Sequence, residues 1–266
     1  MELELDTDRM RAWTRDGIGW MVYNNPARHN AVSLAMWQAI GDIMERYEQD
    51  PAVRVVVMRG AGGKAFVSGA DISEFDSKRG NAEQMATYGA TSARGSRALA
   101  SLTKPLIACI EGYCIGGGLA AALNADIRFA TPDSLFGIPA AKLGLGYGYE
   151  GLAKLLRQVG PAAARDILLS ARFLVAEEAL RMGLINFIKS RDTIEDAVVE
   201  YAQRVAGNAP LTVKAAKAAI NAWEQGGGEE DVENVRRLVE ACFDSDDYKE
   251  GRRAFAEKRT PQFGGR

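Results

Sequence analysis

The feature that most constrains the fold is a six-residue run, Val53-Arg-Val-Val-Val-Met58, that is β-branched and nearly continuous in apolar character. A strand with one face in water alternates apolar and polar side chains, whereas a continuous apolar run is typical of a strand covered on both faces. Residues 105–110 repeat that character. These two runs predict buried strands, covered by helices, in an α/β core.

Strand and helix alternate around these runs. Periodicity predicts strands at residues 10–15, 18–23, 53–59, 105–110, 126–130 and, more briefly, 184–188. It predicts helices from the N-cap Ser33 to Gln49 and at 81–101, 119–125, 194–206, 211–223, 230–243 and 248–258. We find no linker long enough to separate two independent domains. The chain is therefore predicted to have a core, residues 1–200, and a helical C-terminal region, 201–266, within the same structural domain.

Composition excludes several function classes. The 33 basic and 35 acidic residues leave a net charge of −2, which gives no long-range attraction for nucleic acid or an acidic membrane. His29 is the only histidine, so Ser-His-Asp, Cys-His and histidine-rich metal sites are excluded. The three cysteines form no CxxC pair, which favours a reducing compartment. Catalysis must use other groups, and no metal is implied.

The beginning of the chain, MELELDTDRM, is acidic and lacks a long apolar run. It does not have the character of a signal peptide or of a basic transit sequence. No segment reaches the ~18 consecutive apolar residues of a membrane helix. We therefore expect a cytoplasmic protein without membrane contact.

Two glycine clusters follow predicted strands, in Ser68-Gly69-Ala70-Asp71 and in Gly116-Gly117-Gly118. Glycine permits unusual backbone angles and close approach of a ligand, and N–H groups at the start of a helix are unpaired donors. Two such donors can form an oxyanion hole. Taken alone, each cluster is more often a tight strand-to-helix turn.

Three longer segments resemble the signature of the crotonase (enoyl-CoA hydratase/isomerase) family: KAFVSGADISEF (64–75), KPLIACIEGYCIGGGLAAALNADIRFA (104–130) and FGIPAAKLGLG (136–146). NNPARHNAVS (24–33) resembles the adenine-binding segment of that family, and AFAEKRTPQF (254–263) resembles its C-terminal tail. The resemblance covers almost the whole chain. It implies a crotonase-like spiral of ββα turns with an α-helical C-terminal region, assembled as a homotrimer or homohexamer.

The resemblance also implies roles for individual residues. The oxyanion hole would be the backbone N–H groups of Ser68 and Gly117, aimed at the thioester carbonyl of an acyl-CoA. Coenzyme A would enter as part of the substrate, and no separate cofactor is implied. The substrate-binding positions carried over from the family are Ala27, Arg28, Ala70, Asp71, Ala120, Ala140, Phe255 and Lys258, of which Phe255 and Lys258 would reach CoA bound to a neighbouring subunit.

Two departures from the family pattern bear on the reaction. Family hydratases carry glutamates at the positions of Ala120 and Ala140, where a methyl group can neither take nor give a proton. Tyr147 matches a tyrosine of methylmalonyl-CoA decarboxylase-like members, although Ala70 stands where those members carry histidine. Loss of carbon dioxide forms an enolate without a base, so decarboxylation of a malonyl-type CoA is the favoured hypothesis, with Tyr147 holding the carboxylate or delivering the later proton.

Alternative assignments stay open at this stage. A hydratase or isomerase could use substitute groups near the same wall, and a catalytically inactive acyl-CoA-binding protein would also lack the glutamates. The substitute candidates are Lys142, Tyr149 and Glu150, with Glu74 and Asp76 in reserve. A dinucleotide enzyme is suggested by GYGYEG (146–151), but this GxGxxG does not follow a strand. RNA binding is disfavoured because the predicted first helix has no lysine.

Overall fold

A computed structural model gives the fold of residues 2–74, 81–146 and 148–266. Its larger sheet has six strands in the order β1-β2-β3-β5-β7-β10. These strands are Met10–Arg15 (β1), Ile18–Tyr23 (β2), Val55–Gly60 (β3), Leu106–Ile110 (β5), Ile127–Ala130 (β7) and Phe187–Ile188 (β10). β1 and β2 form an antiparallel hairpin, and the pairs from β2 to β10 are parallel.

The smaller sheet has four short strands in the order β4-β6-β8-β9. They are Ala65–Val67 (β4), Tyr113–Ile115 (β6), Leu135–Gly137 (β8) and Leu174–Val175 (β9). β4, β6 and β8 are parallel, and β9 closes one edge in the antiparallel sense. Periodicity did not predict this sheet, because runs of two or three residues carry no measurable period.

The helices follow the strands in a regular order. They are Leu34–Gln49 (α1), Ala82–Ser101 (α2), Gly117–Ala122 (α3), Tyr149–Ser170 (α4), Ala176–Arg181 (α5), Ile194–Ala206 (α6), Pro210–Glu224 (α7), Glu229–Asp244 (α8) and Asp246–Glu257 (α9). The units β3-β4-α2, β5-β6-α3 and β7-β8-α4 each give one strand to each sheet. These are the ββα turns that the family resemblance implies, so the predicted crotonase-like α/β class is confirmed.

Local sequence signals explain where several elements begin and break. The Ser33 side chain accepts from the N–H of Met36 and caps α1 as predicted, and Asn81 caps α2 in the same way. β3 begins two residues later than predicted, because the N–H of Val53 closes a turn to Asp50. α4 is broken at Gly160, which has a non-helical φ of 73°. Pro161 follows directly, and proline interrupts the hydrogen bonding of a helix.

The main core lies between α1 and the sheets. Its largest fully buried side chains include Tyr23, Tyr47, Phe66 and Phe136. A second cluster packs α6 against the other face of the six-stranded sheet, where Val55 and Val57 contact it. Both faces of β3 are therefore covered, which is what its continuous apolar run predicts.

Candidate active site

The predicted site segments leave one edge of the smaller sheet. β4, β6 and β8 are parallel, and Ile115 at the end of β6 pairs with Gly137 at the end of β8. The segments 68–71, 116–120 and 138–143 therefore start from the carboxyl ends of neighbouring strands. In α/β proteins, ligands bind beyond the carboxyl ends of parallel strands. This edge is the candidate active site.

Ser68 is not available in the predicted role. Its backbone N–H donates to the carbonyl of His29 at 3.1 Å, and its hydroxyl lies 3.4 Å from the carbonyl of Arg28. A donor that is already paired gains little from a ligand oxygen. The prediction of Ser68 as an oxyanion donor is therefore corrected.

Ala70, two residues later, has the geometry that was expected of Ser68. It forms a parallel bridge with Val32, whose N–H donates to Gly69 and whose carbonyl accepts from Asp71. In such a bridge the residue between the two bonded neighbours, here Ala70, directs its own N–H away from the partner strand. Among the described residues, no backbone partner takes the N–H of Ala70.

Gly117 lies beside Ala70. A Cβ built on Gly117 would lie 3.9 Å from the nitrogen of Ala70 and 3.8 Å from Cα of Gly69. Gly117 is the first residue of α3, so its N–H has no acceptor inside the helix, and no other described group accepts from it. The predicted donor at Gly117 and the unpredicted donor at Ala70 are thus neighbours with unpaired N–H groups.

Two glycines make this proximity possible. A Cβ on Gly118 would lie 2.1 Å from the carbonyl oxygen of Val67, so only glycine lets α3 begin against the end of β4. Gly69 has a φ of 121°, a conformation that side-chain-bearing residues rarely adopt. Gly69 turns the chain from β4 into the bridge that orients Ala70.

The carboxylates that follow Ala70 support the loop. Asp71 is 3% exposed and accepts from the hydroxyl of Ser73 at 2.6 Å, while Arg9 and Arg28 lie 3.7 and 3.8 Å away. Glu74, a reserve candidate for catalysis, accepts from the first N–H of α1 at 2.8 Å. Both are held in structural contacts. The other reserve candidate, Asp76, lies outside the described residues.

Ala120 and Ala140 flank the same edge of the sheet. Ala120 lies on α3, three residues after Gly117, and Ala140 lies on a 3₁₀ helix, Pro139–Leu143, that follows β8. Both are partly buried, and Ala140 packs against the main core. Neither position therefore carries a side chain that can take or give a proton.

The remaining candidates of this wall belong to the segment after Ala140. Lys142 is exposed, with its ammonium 5.9 Å from the ring of Phe173, and Tyr149 is 82% exposed at the start of α4. Glu150 lies in the first turn of α4. Tyr147 lies outside the described residues. The GxGxxG segment follows a 3₁₀ helix rather than a strand, which argues against a dinucleotide site.

The predicted adenine segment forms an exposed 3₁₀ turn, Pro26–Arg28, that includes Ala27. Two buried asparagines fix it, a role that the sequence analysis missed. Asn30 accepts from the N–H of Asn25 at 2.9 Å and donates to the carbonyl of Ala65 at 2.7 Å. The turn is thereby attached to the start of β4.

The tail positions lie elsewhere on the molecule. Phe255 is 88% exposed, and Lys258 is exposed at the end of α9. The tail that follows binds at the amino end of β3, where Arg54 donates to the carbonyl of Phe263 at 3.0 Å. β3 belongs to the six-stranded sheet, whereas the site segments leave strands of the smaller sheet.

The wall behind β4 and β6 is neutral. The ring of Tyr23 packs edge-on against Phe66 of β4 at 5.4 Å, and Cys114 is buried in β6. Burial raises the pKa of both Tyr23 and Cys114. The Tyr23 hydroxyl and the Cys114 thiol therefore stay protonated, and neither can act as the catalytic base that residues 120 and 140 lack.

No cluster of three or more histidine, cysteine, aspartate or glutamate side chains with metal-binding geometry occurs in the described part of the chain. In the same residues, no helix is long and apolar enough to cross a bilayer.

Comparison with known proteins agrees with this architecture. Residues 14–266 match the family described as Enoyl-CoA hydratase/isomerase. The chain is 34% identical to a short-chain-enoyl-CoA hydratase of Clostridium acetobutylicum, over 89% of this chain and 90% of that protein. It is 33% identical to a carnitinyl-CoA dehydratase of Proteus mirabilis, over 95% of this chain and 97% of that protein. An enoyl-CoA hydratase/carnithine racemase structure from Magnetospirillum magneticum matches with a TM-score of 0.90 and 36% identity, covering 98% of this chain and 97% of that one. The chain therefore belongs to the enoyl-CoA hydratase/isomerase family, also called the crotonase family.

Proposed function

We propose that this protein is an acyl-CoA enzyme that holds the thioester oxygen between the N–H groups of Ala70 and Gly117. The observation that carries the proposal is the proximity of two unpaired backbone donors at the carboxyl ends of β4 and β6. Donors held in this way stabilise the negative charge that develops on oxygen in the transition state. Each such donor contributes roughly 10²–10³ in kcat.

The absence of a carboxylate at 120 and 140 narrows the chemistry. A reaction that removes an α-proton needs a base, and methyl groups supply none. Decarboxylation of a malonyl-type thioester needs none: the bond between Cα and the carboxylate breaks, and its electron pair forms the enolate. Carbon dioxide leaves, and a proton then adds to Cα. Decarboxylation is our first candidate, with Tyr147 proposed to orient the carboxylate or donate that proton.

Hydration or dehydration is the second candidate, because relatives 33–34% identical bear the names of a hydratase and a dehydratase. This chemistry would require an acid and a base other than residues 120 and 140. The third candidate is an acyl-CoA-binding protein without turnover. All three candidates share the same two backbone donors.

We further propose that a second copy of the chain completes the CoA site, in a homotrimer or homohexamer. Phe255 and Trp223 expose 88% and 81% of their surfaces, and exposed aromatics of this size are typical of interfaces. By resemblance to the family, Phe255 and Lys258 of one copy would act on the site of a neighbouring copy. Arg28, in the adenine-binding segment, would contact CoA from within the same chain.

The test is a turnover assay by mass spectrometry with methylmalonyl-CoA, crotonyl-CoA and a 3-enoyl-CoA in parallel. The key variant is Gly117→Pro, because proline is tolerated at the first position of a helix and replaces the N–H by its ring Cδ. Glu229→Pro makes the same change at the first position of α8 and controls for folding. We expect Gly117→Pro to lose about 10²-fold or more in kcat/KM. Equal turnover by both variants would refute the oxyanion hole.

A further inference from the structure

A second cavity lies away from the acyl-CoA site, between α4 and α7. Its volume is about 680 Å³, and its walls include the amino ends of β5 and β7. The polar side chains that line it include Asn124, Lys154, Arg157, Lys217, Asn221 and Glu224. Asn124 follows the end of α3, and Gly117 begins that helix. At 1.5 Å of rise per residue, the two ends of α3, Gly117 and Ala122, are about 7.5 Å apart along the axis.

The cavity carries an excess of positive charge. Lys154, Arg157 and Lys217 line it, against Asp126 and Glu224. Lys217 pairs with Asp126 at 2.8 Å, so that these two charges cancel. The partly buried Lys154 and the exposed Arg157 then remain against the exposed carboxylate of Glu224.

Lys154 is a partly buried cation in the wall of the cavity. Its ammonium donates to the side-chain oxygen of Asn124, a neutral acceptor. Among the side chains that the structure describes, no carboxylate forms an ion pair with Lys154 or Arg157. Burial lowers the pKa of Lys154, the charge of Arg157 adds to that effect, and the more distant carboxylate of Glu224 opposes it. A partly buried cation without a carboxylate in direct contact is stabilised when a negative charge binds beside it.

A neighbouring buried cation adds to the positive potential. Arg128 of β7 is 2% exposed and donates to the carbonyls of Leu184 and Ala125. Its partners are again neutral oxygens. The positive charge around the cavity is therefore larger than its surface residues suggest.

Between the charged groups, the cavity is apolar. Leu123, Ile127 and Val213 contribute to its walls, and Ile220 of α7 is 60% exposed at its edge. A ligand suited to both features has an anionic head and an apolar body. An inorganic anion alone would leave the aliphatic walls in contact with water.

We propose that the α4–α7 cavity is a second binding site, for an organic carboxylate whose head lies at Lys154 and Arg157 and whose aliphatic body lies against Ile127 and Val213. The site is independent of the oxyanion hole and of the reaction catalysed there. The same cationic groups would also attract a phosphate head, so the experiment compares both kinds of anion.

The test is calorimetric titration of the full-length protein with sodium octanoate, sodium acetate and inorganic phosphate, at constant ionic strength and with saturating free CoA. The free CoA occupies the acyl-CoA site and thereby prevents octanoate from binding there. The test variant is Lys154→Met, which keeps an aliphatic side chain and removes the charge. The matched control is Lys189→Met, which removes the charge of an exposed lysine after β10.

We expect octanoate to bind wild type and Lys189→Met equally, and Lys154→Met at least tenfold more weakly. Acetate and phosphate should bind more weakly than octanoate, because they leave the aliphatic wall uncovered. Lys154→Met should melt no lower than wild type without ligand, since it removes an unpaired charge. Equal octanoate binding by Lys154→Met, no octanoate binding at millimolar concentration, or tighter binding of phosphate than of octanoate would each overturn the proposal.

Discussion

Gly118→Ala tests whether the close approach of α3 to β4 creates the candidate site. The added Cβ would lie 2.1 Å from the carbonyl oxygen of Val67. The usual closest approach of carbon and carbonyl oxygen is about 3.3 Å, so α3 and β4 must separate by roughly 1.2 Å. Both contacting groups are backbone or are attached to it, so no flexible side chain can absorb the shift.

Overpacking of this kind costs about 1–3 kcal/mol in the free energy of unfolding. The gain of helix propensity from glycine to alanine, at most ~1 kcal/mol, opposes it. Gly89→Ala is the matched control, because Gly89 lies inside α2 and its added Cβ would meet nothing within 4 Å. The difference between the two variants isolates the strain. For a chain of this length it corresponds to a melting temperature lower by about 2–4 °C per kcal/mol.

The displacement also separates Gly117 from Ala70. A misplacement of about 1 Å at a reacting centre can cost roughly 10²-fold in rate. We therefore expect Gly118→Ala to melt several degrees below Gly89→Ala and to lose acyl-CoA turnover or binding, as measured by calorimetry and mass spectrometry. If Gly118→Ala melts and acts like Gly89→Ala, the argument that Gly118 sets the distance between the two donors is wrong.

Three further predictions concern groups outside the donor pair. Native protein treated with iodoacetamide at pH 8 should be alkylated at Cys242 only, as counted by peptide mass spectrometry. Burial raises the pKa of Cys109 to about 12 and also raises the pKa of Cys114, so these two thiols stay protonated and unreactive. Glu74→Ala should cost about 1 kcal/mol in urea unfolding by removing an acceptor at the start of α1, and a much smaller loss would show that this contact is not a cap. The hydrogen bond from Arg259 holds the pKa of Glu250 well below its usual range. The ionised Glu250 therefore contributes to tail docking above the ordinary glutamate pKa, and this contribution is lost progressively as pH falls below about 4. The protection of residues 259–266 against hydrogen exchange, relative to the intrinsic rate at each pH, should fall in wild type as pH drops below about 4, whereas Glu250→Gln should show low protection already at pH 7.

Much of the architecture could be predicted because its signals are local. The continuous run at β3, the N-cap at Ser33 and the apolar stripes of the C-terminal helices each depend on residues close together in sequence. The family motifs supplied the order of the ββα turns. What periodicity could not supply was the second sheet, whose short strands are stabilised by pairing with distant segments.

The site shows the same division between local and distant information. The family resemblance indicated Gly117, and the start of a helix at this position leaves its first N–H groups unpaired. The choice between Ser68 and Ala70 depended on the carbonyl of His29 and on a bridge to Val32, both far along the chain. Neither contact has a local signal. The buried Asn30, which fixes the turn beside them, was missed for the same reason.

The pairing of β10 with β7 has a consequence for how the chain folds. Phe187 pairs with Phe129, so the edge of β7 stays uncovered until β8, α4, β9 and α5 have been made. Parallel pairings of this kind join residues far apart in sequence and slow folding. During synthesis, a nascent chain that ends before residue 187 presents an open, apolar strand edge, which is a template for association with other chains. Truncation between α5 and β10 should therefore yield aggregates, while removal of α9 and the tail leaves this edge covered.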